Sequence, residues 1–318
     1  MNSPEIERRT NGSAARVPSL ALERRADGFF HRTVDVGEVR LHVAEARPAG
    51  AAEVPADAPL VVFLHGFPEF WWSWRHQLRA LAEAGFWAVA PDMRGYNESD
   101  KPAGVDAYRV EKLAGDVAGL IRALGRERAF VVGHDWGAVV AWAFAQEHPS
   151  LLERLAILNV PHPLAMMRGL RRPEQLKKSW YIFFFQLPVI PEKTASRSDF
   201  AFLRRTFELD GTPSEEIEQY VDAIRVPGAL TSAINYYRSA IRRVVRGDVP
   251  KSKVIDRPVL VIWGDRDRYL GKEMAEPPAR FVPNARVVHL PESTHWVQND
   301  APEKVNALLL EFFREGKG

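Results

Sequence analysis

The stretch Phe130-Val131-Val132-Gly133-His134-Asp135-Trp136-Gly137-Ala138 decides how this chain folds. An apolar run from Ala129 to Val132 meets a glycine, a second glycine follows four positions later, and helical spacing sets in over 139–147. A buried strand that ends in so tight a turn and opens a helix throws its central side chain out above the sheet edge. The glycines serve where backbone passes too close for a Cβ. The central residue, Asp135, also stands at a helix N-terminus, where the dipole favours negative charge. A serine here would have to lose a proton as it attacks. A carboxylate with a pKa of about 3.9 is already ionised at neutral pH. Asp135 can therefore attack an electrophilic sp3 carbon unaided and form an alkyl ester. A base is needed only afterwards, to activate water against that ester.

Outward from the turn, strand and helix patterns alternate. Strands are expected at 29–36 and 39–46 around the turn Gly37-Glu38, then at 60–64, 87–90, 129–132 and 155–158. Helices are expected at 74–84, 108–124 and 139–147. The rhythm breaks over 161–253, which has helical patterns and no convincing strand. It resumes with strands at 258–263 and 285–290 and a last helix at 302–313. The reading is an α/β fold with a mostly parallel, doubly wound sheet. An inserted helical cap would cover the carboxyl ends of the strands, where such sheets bind ligands. Its parts would be a flexible N-terminal arm (1–27), a core (28–160 and 254–318) and the cap (161–253). The arm is polar and carries Arg8, Arg9, Arg16, Arg24 and Arg25, without the apolar run of a secretory signal.

Composition narrows the function classes. Of 318 residues, 46% are hydrophobic and 26% charged, enough to bury a core without staples. Lys and Arg number 43 against 41 Asp and Glu, a net +2, so no overall field draws the chain to nucleic acid or an anionic membrane. Zero cysteines remove disulfides, thiolate metal sites and cysteine nucleophiles, and fit a reducing, cytoplasmic setting. The longest apolar tract, 181–190, is interrupted by Gln186 and Pro188 and is shorter than the about 20 residues that span a bilayer. Arg168, Arg171, Arg172, Lys177 and Lys178 form a local basic cluster, read as a solvated helix face. Aromatic residues gather beside polar loops, as at Phe67-Pro68-Glu69-Phe70-Trp71-Trp72, which suggests an apolar pocket with a few placed polar groups.

Four segments together carry a family resemblance: His65-Gly66-Phe67-Pro68-Glu69-Phe70-Trp71-Trp72-Ser73-Trp74-Arg75-His76-Gln77, Asp92-Met93-Arg94-Gly95-Tyr96, Gly133-His134-Asp135-Trp136-Gly137 and Trp263-Gly264-Asp265-Arg266-Asp267. From about Phe29 to Phe313 the chain resembles the α/β-hydrolase superfamily and, within it, the soluble epoxide hydrolase family. The resemblance implies that the backbone N–H groups of Phe67 and Trp136 form an oxyanion hole, and that the bond before Pro68 is cis. Two fixed donors there would stabilise the tetrahedral intermediate of ester hydrolysis.

His295 has the place of the base, late in the chain, on a loop after a strand and before a helix. Its ordinary pKa near 6.5 suits the task. His65 and His134 flank motifs as structural residues, His289 lies in a strand, and His162 is left without a role. An acid must hold the base's tautomer. Asp265 and Asp267 are both available after a strand, and the family pattern selects Asp267. Asn159, where some relatives keep the acid, is neutral.

Opening an epoxide releases an alkoxide, a poor leaving group without a proton donor. A phenol with a pKa of about 10 keeps its proton at pH 7 and can supply it. The family uses two cap tyrosines in this way. The resemblance carries those roles to Tyr181 and Tyr237, with Tyr236 an adjacent competitor.

The expected reaction converts an apolar epoxide and water to a vicinal diol through an Asp135 ester, with no cofactor and no metal. The alternatives are a haloalkane dehalogenase, usually with Asn where Phe67 stands, and a non-catalytic scaffold of the same fold. Substrate identity and stereochemistry stay open. So does oligomeric state, with a homodimer one candidate.

Overall fold

A computed structural model describes residues 22–49, 51, 53–248 and 251–315. Nine strands form one sheet: β1 (Glu23–Arg24), β2 (Phe30–Asp35), β3 (Arg40–Ala46), β4 (Leu60–Leu64), β5 (Trp87–Pro91), β6 (Ala129–His134), β7 (Leu152–Leu158), β8 (Val259–Gly264) and β9 (Ala285–Leu290). Their spatial order is β1-β2-β3-β5-β4-β6-β7-β8-β9. From β5 to β9 every pairing is parallel, and β1, β2 and β3 pair antiparallel. The strands β4, β5, β6 and β8 are buried along their whole length, which accounts for their unbroken apolar runs.

The chain starts its parallel section at β4, steps outward to β5, then returns to the other side of β4 for β6 and continues to β9. The direction of winding therefore reverses between β4 and β6. A crevice opens at the carboxyl ends of such a pair, and the register Leu64↔Gly133 brings the last residue of β4 beside the next-to-last of β6 there.

Helices α1 (Arg75–Glu83), α2 (Val110–Ala123) and α3 (Trp136–Glu147) lie among these strands, and α10 (Val297–Asp300) and α11 (Pro302–Arg314) close the fold. α2 packs on α3, and α1 packs on α11. Between β7 and β8 the described residues form six helices and no strand: α4 (Pro163–Gly169), α5 (Pro173–Lys178), α6 (Trp180–Phe184), α7 (Ile190–Glu208), α8 (Ser214–Arg225) and α9 (Ala229–Val245). α7 is kinked at Arg197–Phe200, where three successive residues have left-handed φ.

The boundary of the N-terminal arm needs correction. Residues 1–21 lie outside the described residues, but 22–27 are not a free arm. Glu23 and Arg24 pair with His31 and Phe30, and Arg25 forms an ion pair with Glu98 at 2.6 Å. The alternation of exposure in two residues is too short a signal to read as a strand. α3 likewise begins at Trp136, three residues before the helical spacing becomes visible, because the elbow residues themselves form its first turn.

Candidate active site

The elbow is tight for a reason that can be read atom by atom. Asp135 has φ 46° and ψ −122°, a conformation that non-glycine residues rarely adopt and that costs of order 1–3 kcal/mol. Its neighbours leave no room for side chains. A Cβ on Gly133 would stand 2.5 Å from the Gly137 carbonyl, and one on Gly137 would collide with the Leu64 carbonyl. A Cβ on Gly66 would collide with the Asp135 side chain itself. The carboxylate is thus wedged between the ends of β4 and β6.

Two groups hold it there. The Phe67 backbone N–H donates to Asp135 Oδ1 at 2.7 Å, and the Phe67–Pro68 bond is cis. His295 Nε2 lies 3.5 Å from Asp135 Oδ2. Burial works to raise the Asp135 pKa. The His295 and His134 imidazoles and the Phe67 N–H outweigh it and hold the carboxyl below its ordinary 3.8.

On its other side, His295 Nδ1 meets Asp267 Oδ2 at 2.7 Å. Asp267 Oδ1 accepts from the Tyr269 and Leu270 N–H groups at 2.7 and 2.9 Å, and Asn159 Nδ2 donates to Oδ2 at 2.9 Å. Burial favours neutral Asp267, but the His295 charge and these donors depress its pKa. Burial likewise opposes a charged His295. The two carboxylates flanking it nonetheless raise its pKa well above 6.5. Asp265, the competing acid, turns away to His289 Nδ1 at 2.6 Å and Lys272 at 3.3 Å.

A cavity of about 230 Å³ lies over Asp135, lined among others by Phe67, Tyr181, Tyr237, Tyr269, His295 and Trp296. Its floor is the elbow and its roof is α6, α7 and α9. Tyr237 stands edge-on to Phe67 and Trp136, with ring centroids 5.5 and 4.9 Å apart, and Tyr181 meets Tyr237 at 5.9 Å. Burial, reinforced by the Asp135 charge, pushes both phenol pKa values well above 10. Both therefore keep their protons at neutral pH. The neighbour Tyr236 is fully buried and donates its hydroxyl to the Arg94 carbonyl at 2.7 Å.

Several contributors to the site were not anticipated. Asn159, at φ 50°, accepts from the Gly264 N–H at 2.8 Å while donating to Asp267, so the residue dismissed as too neutral to be the acid steadies the Asp267 carboxyl. Its signal was its position after β7, facing the β8 turn. Tyr269 packs against His295 at 5.2 Å, and α7 brings Arg205 and Thr206 to the cavity, with no motif to announce them. Under the floor, Glu69 joins the loop after β4 to β6 and α10. Its Oε2 accepts from the Gly66 N–H at 3.0 Å and lies 2.7 Å from His134 Nδ1, and its Oε1 accepts from Gln298. His134 Nε2 in turn donates to the His295 carbonyl at 2.8 Å. His65 donates from Nδ1 to the Gly66 carbonyl and accepts the Met93 N–H on Nε2. His162 caps α4 from a buried position that pushes its pKa down to about 4. Trp71 packs on Phe29 and His31 and Trp72 under Arg75, so of the aromatics in that loop only Phe67 lines the cavity. Among the described residues no group of three or more His, Asp or Glu side chains could hold a metal ion.

Comparison with known proteins places the fold in a family. The family model for the alpha/beta hydrolase fold matches residues 59–302. The chain is 38% identical over 268 residues to Epoxide hydrolase 4 of Mus musculus, covering 81% of this chain and 73% of that protein. The chain belongs to the epoxide hydrolases of the α/β-hydrolase fold. It is also 34% identical to Epoxide hydrolase A of Mycobacterium tuberculosis, covering 88% of this epoxide hydrolase-family chain and 96% of the relative. Among solved structures, an epoxide hydrolase from Bacillus megaterium in complex with an inhibitor superimposes with a TM-score of 0.80 at 31% identity, over 89% of this chain and 100% of that one. Among the described residues no helix is long and apolar enough to cross a membrane.

Proposed function

We propose that this epoxide hydrolase opens apolar epoxides in two steps, with residues 161–253 acting as a cap over a core of 28–160 and 254–318. The single observation that carries the reading is one cavity lined by the backbone-anchored Asp135 carboxyl and by two phenols, Tyr181 and Tyr237. Asp135 attacks a ring carbon, the C–O bond breaks, and the phenols donate to the departing oxygen. The product of this step is an alkyl ester of Asp135.

Esterification also prepares the second step. It removes one of the two negative charges that hold the proton on His295, so the imidazole's proton becomes easier to lose. That proton can replace the one the phenols gave up. His295, neutral and oriented by Asp267, then takes a proton from water as the water attacks the ester carbonyl. The Phe67 and Trp136 N–H groups receive the oxyanion, and collapse of the tetrahedral intermediate breaks the ester C–O bond; the departing alkoxide takes the remaining proton of the added water, which leaves the diol, the Asp135 carboxylate and protonated His295. Phe67 presents an apolar side chain to the cavity, which gives a halide leaving group no side-chain donor at that position.

A single turnover in heavy-oxygen water tests the route. Label is expected in the Asp135 carboxylate, with unlabelled oxygen passing to the diol. Label appearing directly in the diol would mean that water attacks the epoxide and the ester does not form. Parallel assays with a styrene-type epoxide and a bromoalkane are expected to yield diol and no halide.

A further inference from the structure

The helical insertion exposes a face that the chemistry above does not use. Leu176 on α5, Trp180 and Phe183 on α6, and Leu187 three residues past α6 are all exposed, Trp180 and Phe183 at 52% each. Val189 and Ile190 extend the apolar surface into the start of α7, and α6 buries none of its residues. Scattered surface leucines need no explanation, but a run of this kind marks an interaction site.

The same segment concentrates positive charge. Residues 163–197 hold seven Lys or Arg and two Glu, a net +5 on a chain whose total is +2. Exposed Arg168, Arg171, Arg172, Lys177, Lys193 and Arg197 take part in none of the ion pairs of the described residues. By contrast Arg204, Arg225 and Arg238, on α7, α8 and α9, each hold a carboxylate. The near-zero overall charge therefore conceals a local cationic surface. A tryptophan and aliphatic side chains flanked by unpaired arginines suit the boundary of an anionic bilayer, where rings sit at headgroup depth and cations meet lipid phosphates and carboxylates. A second copy of the chain is a poorer occupant, because a two-fold interface would bring two +5 faces together.

Trp180 connects this face to the active site, since it is half exposed and also lines the cavity. We propose that α5, α6 and the start of α7 dock the protein on an anionic lipid surface, with these exposed apolar side chains in the interface and the cavity mouth turned toward the membrane. Apolar substrate dissolved in the bilayer would then reach the cavity without crossing water. That delivery role rests on the proposed reaction, whereas the docking does not.

Vesicle co-sedimentation tests it, comparing phosphatidylcholine vesicles with vesicles containing about 30% phosphatidylserine. The protein is expected to partition onto the anionic vesicles and to be released as salt rises from about 0.05 to about 0.5 M. Arg171→Gln with Arg172→Gln should weaken partitioning about 30-fold, at about fivefold for each cation removed. Phe183→Ser with Val189→Ser should weaken it too. Both double variants should hydrolyse a water-soluble epoxide at the parent rate in vesicle-free buffer, so failure of docking is separable from failure of the catalytic reading. Absence of binding to anionic vesicles would overturn the proposal, as would equal, salt-independent binding to both vesicle types. So would sedimentation velocity revealing a dimer that Phe183→Ser with Val189→Ser dissociates.

Discussion

Replacing His295 with Gln separates the two proposed steps, because the imidazole serves only the second as a base. Its Nε2 lies 3.5 Å from Asp135 Oδ2, in reach of a water attacking the ester, and its Nδ1 is committed to Asp267 at 2.7 Å. Glutamine keeps a polar contact to Asp267 but cannot accept a proton at neutral pH. Loss of a positioned general base lowers the affected step by about 10²–10⁴-fold, or about 2.7–5.4 kcal/mol. Attack on the epoxide should not suffer comparably. The His295 cation stabilises the Asp135 carboxylate before attack and loses that partner as the ester forms, so its removal does not raise this barrier. Removing the cation does raise the Asp135 pKa, and an assay at about pH 9 keeps the carboxylate ionised. Rapid-quench measurement with excess epoxide should then give a burst of one equivalent consumed per active site, followed by a steady rate about 10²–10⁴-fold below the parent enzyme. Intact-protein mass should rise by the mass of one epoxide. A folded variant, judged by near-ultraviolet circular dichroism, with neither burst nor adduct would refute this division of labour.

Other substitutions probe the roof, the charges and the elbow. Tyr181→Phe and Tyr237→Phe should each lower kcat/KM by about 10²-fold, the usual loss for one donor to a developing oxyanion. Tyr236→Phe should leave kcat/KM nearly unchanged and cost about 1 kcal/mol of stability through its lost bond to the Arg94 carbonyl, read by denaturant titration. The charges of Asp135, Asp267 and His295 also shape stability against pH. Asp135 and Asp267 have folded pKa values below their ordinary 3.8, so their contribution exists above that pH and disappears as pH falls through the folded values. His295 is raised above 6.5, so its contribution is full below that pH and disappears as pH rises through the folded value. The Tm difference between parent and His295→Gln is therefore expected to peak between about 4 and about 6.5 and to narrow on both sides. Gly137→Ala should cost about 3 kcal/mol or more, because the added Cβ collides with the Leu64 carbonyl and cannot relax without parting β4 from the elbow. Retained parent stability in that variant would contradict the close approach.

What the sequence made legible follows from how local each signal is. The elbow is a local device, since Gly133, Asp135 and Gly137 lie within five residues and their constraint is a single turn. Strand β4 and the loop after it are equally local, and so both halves of the site floor could be read directly. Asp267 and His295 stand on short loops after strands, which restricts them to few candidates. Choosing Asp267 over Asp265 nevertheless needed the family pattern, because only the bond to His295 Nδ1 distinguishes two aspartates two residues apart. The same holds for Tyr236 and Tyr237, adjacent on α9 and pointing to different partners. Asn159, Tyr269 and Arg205 could not be assigned because their roles arise from tertiary contacts between residues far apart in the chain, 108 apart for Asn159 and Asp267, or from the packing of α7 over the cavity, and no spacing encodes that. Asn159 makes the point physically. An amide there can accept from the Gly264 N–H and donate to Asp267 at once, tying β7 to the turn after β8. A carboxylate in its place could accept but not donate, and would set a second negative charge against Asp267. The neutrality that excluded Asn159 as the acid is what allows it to hold the acid in place.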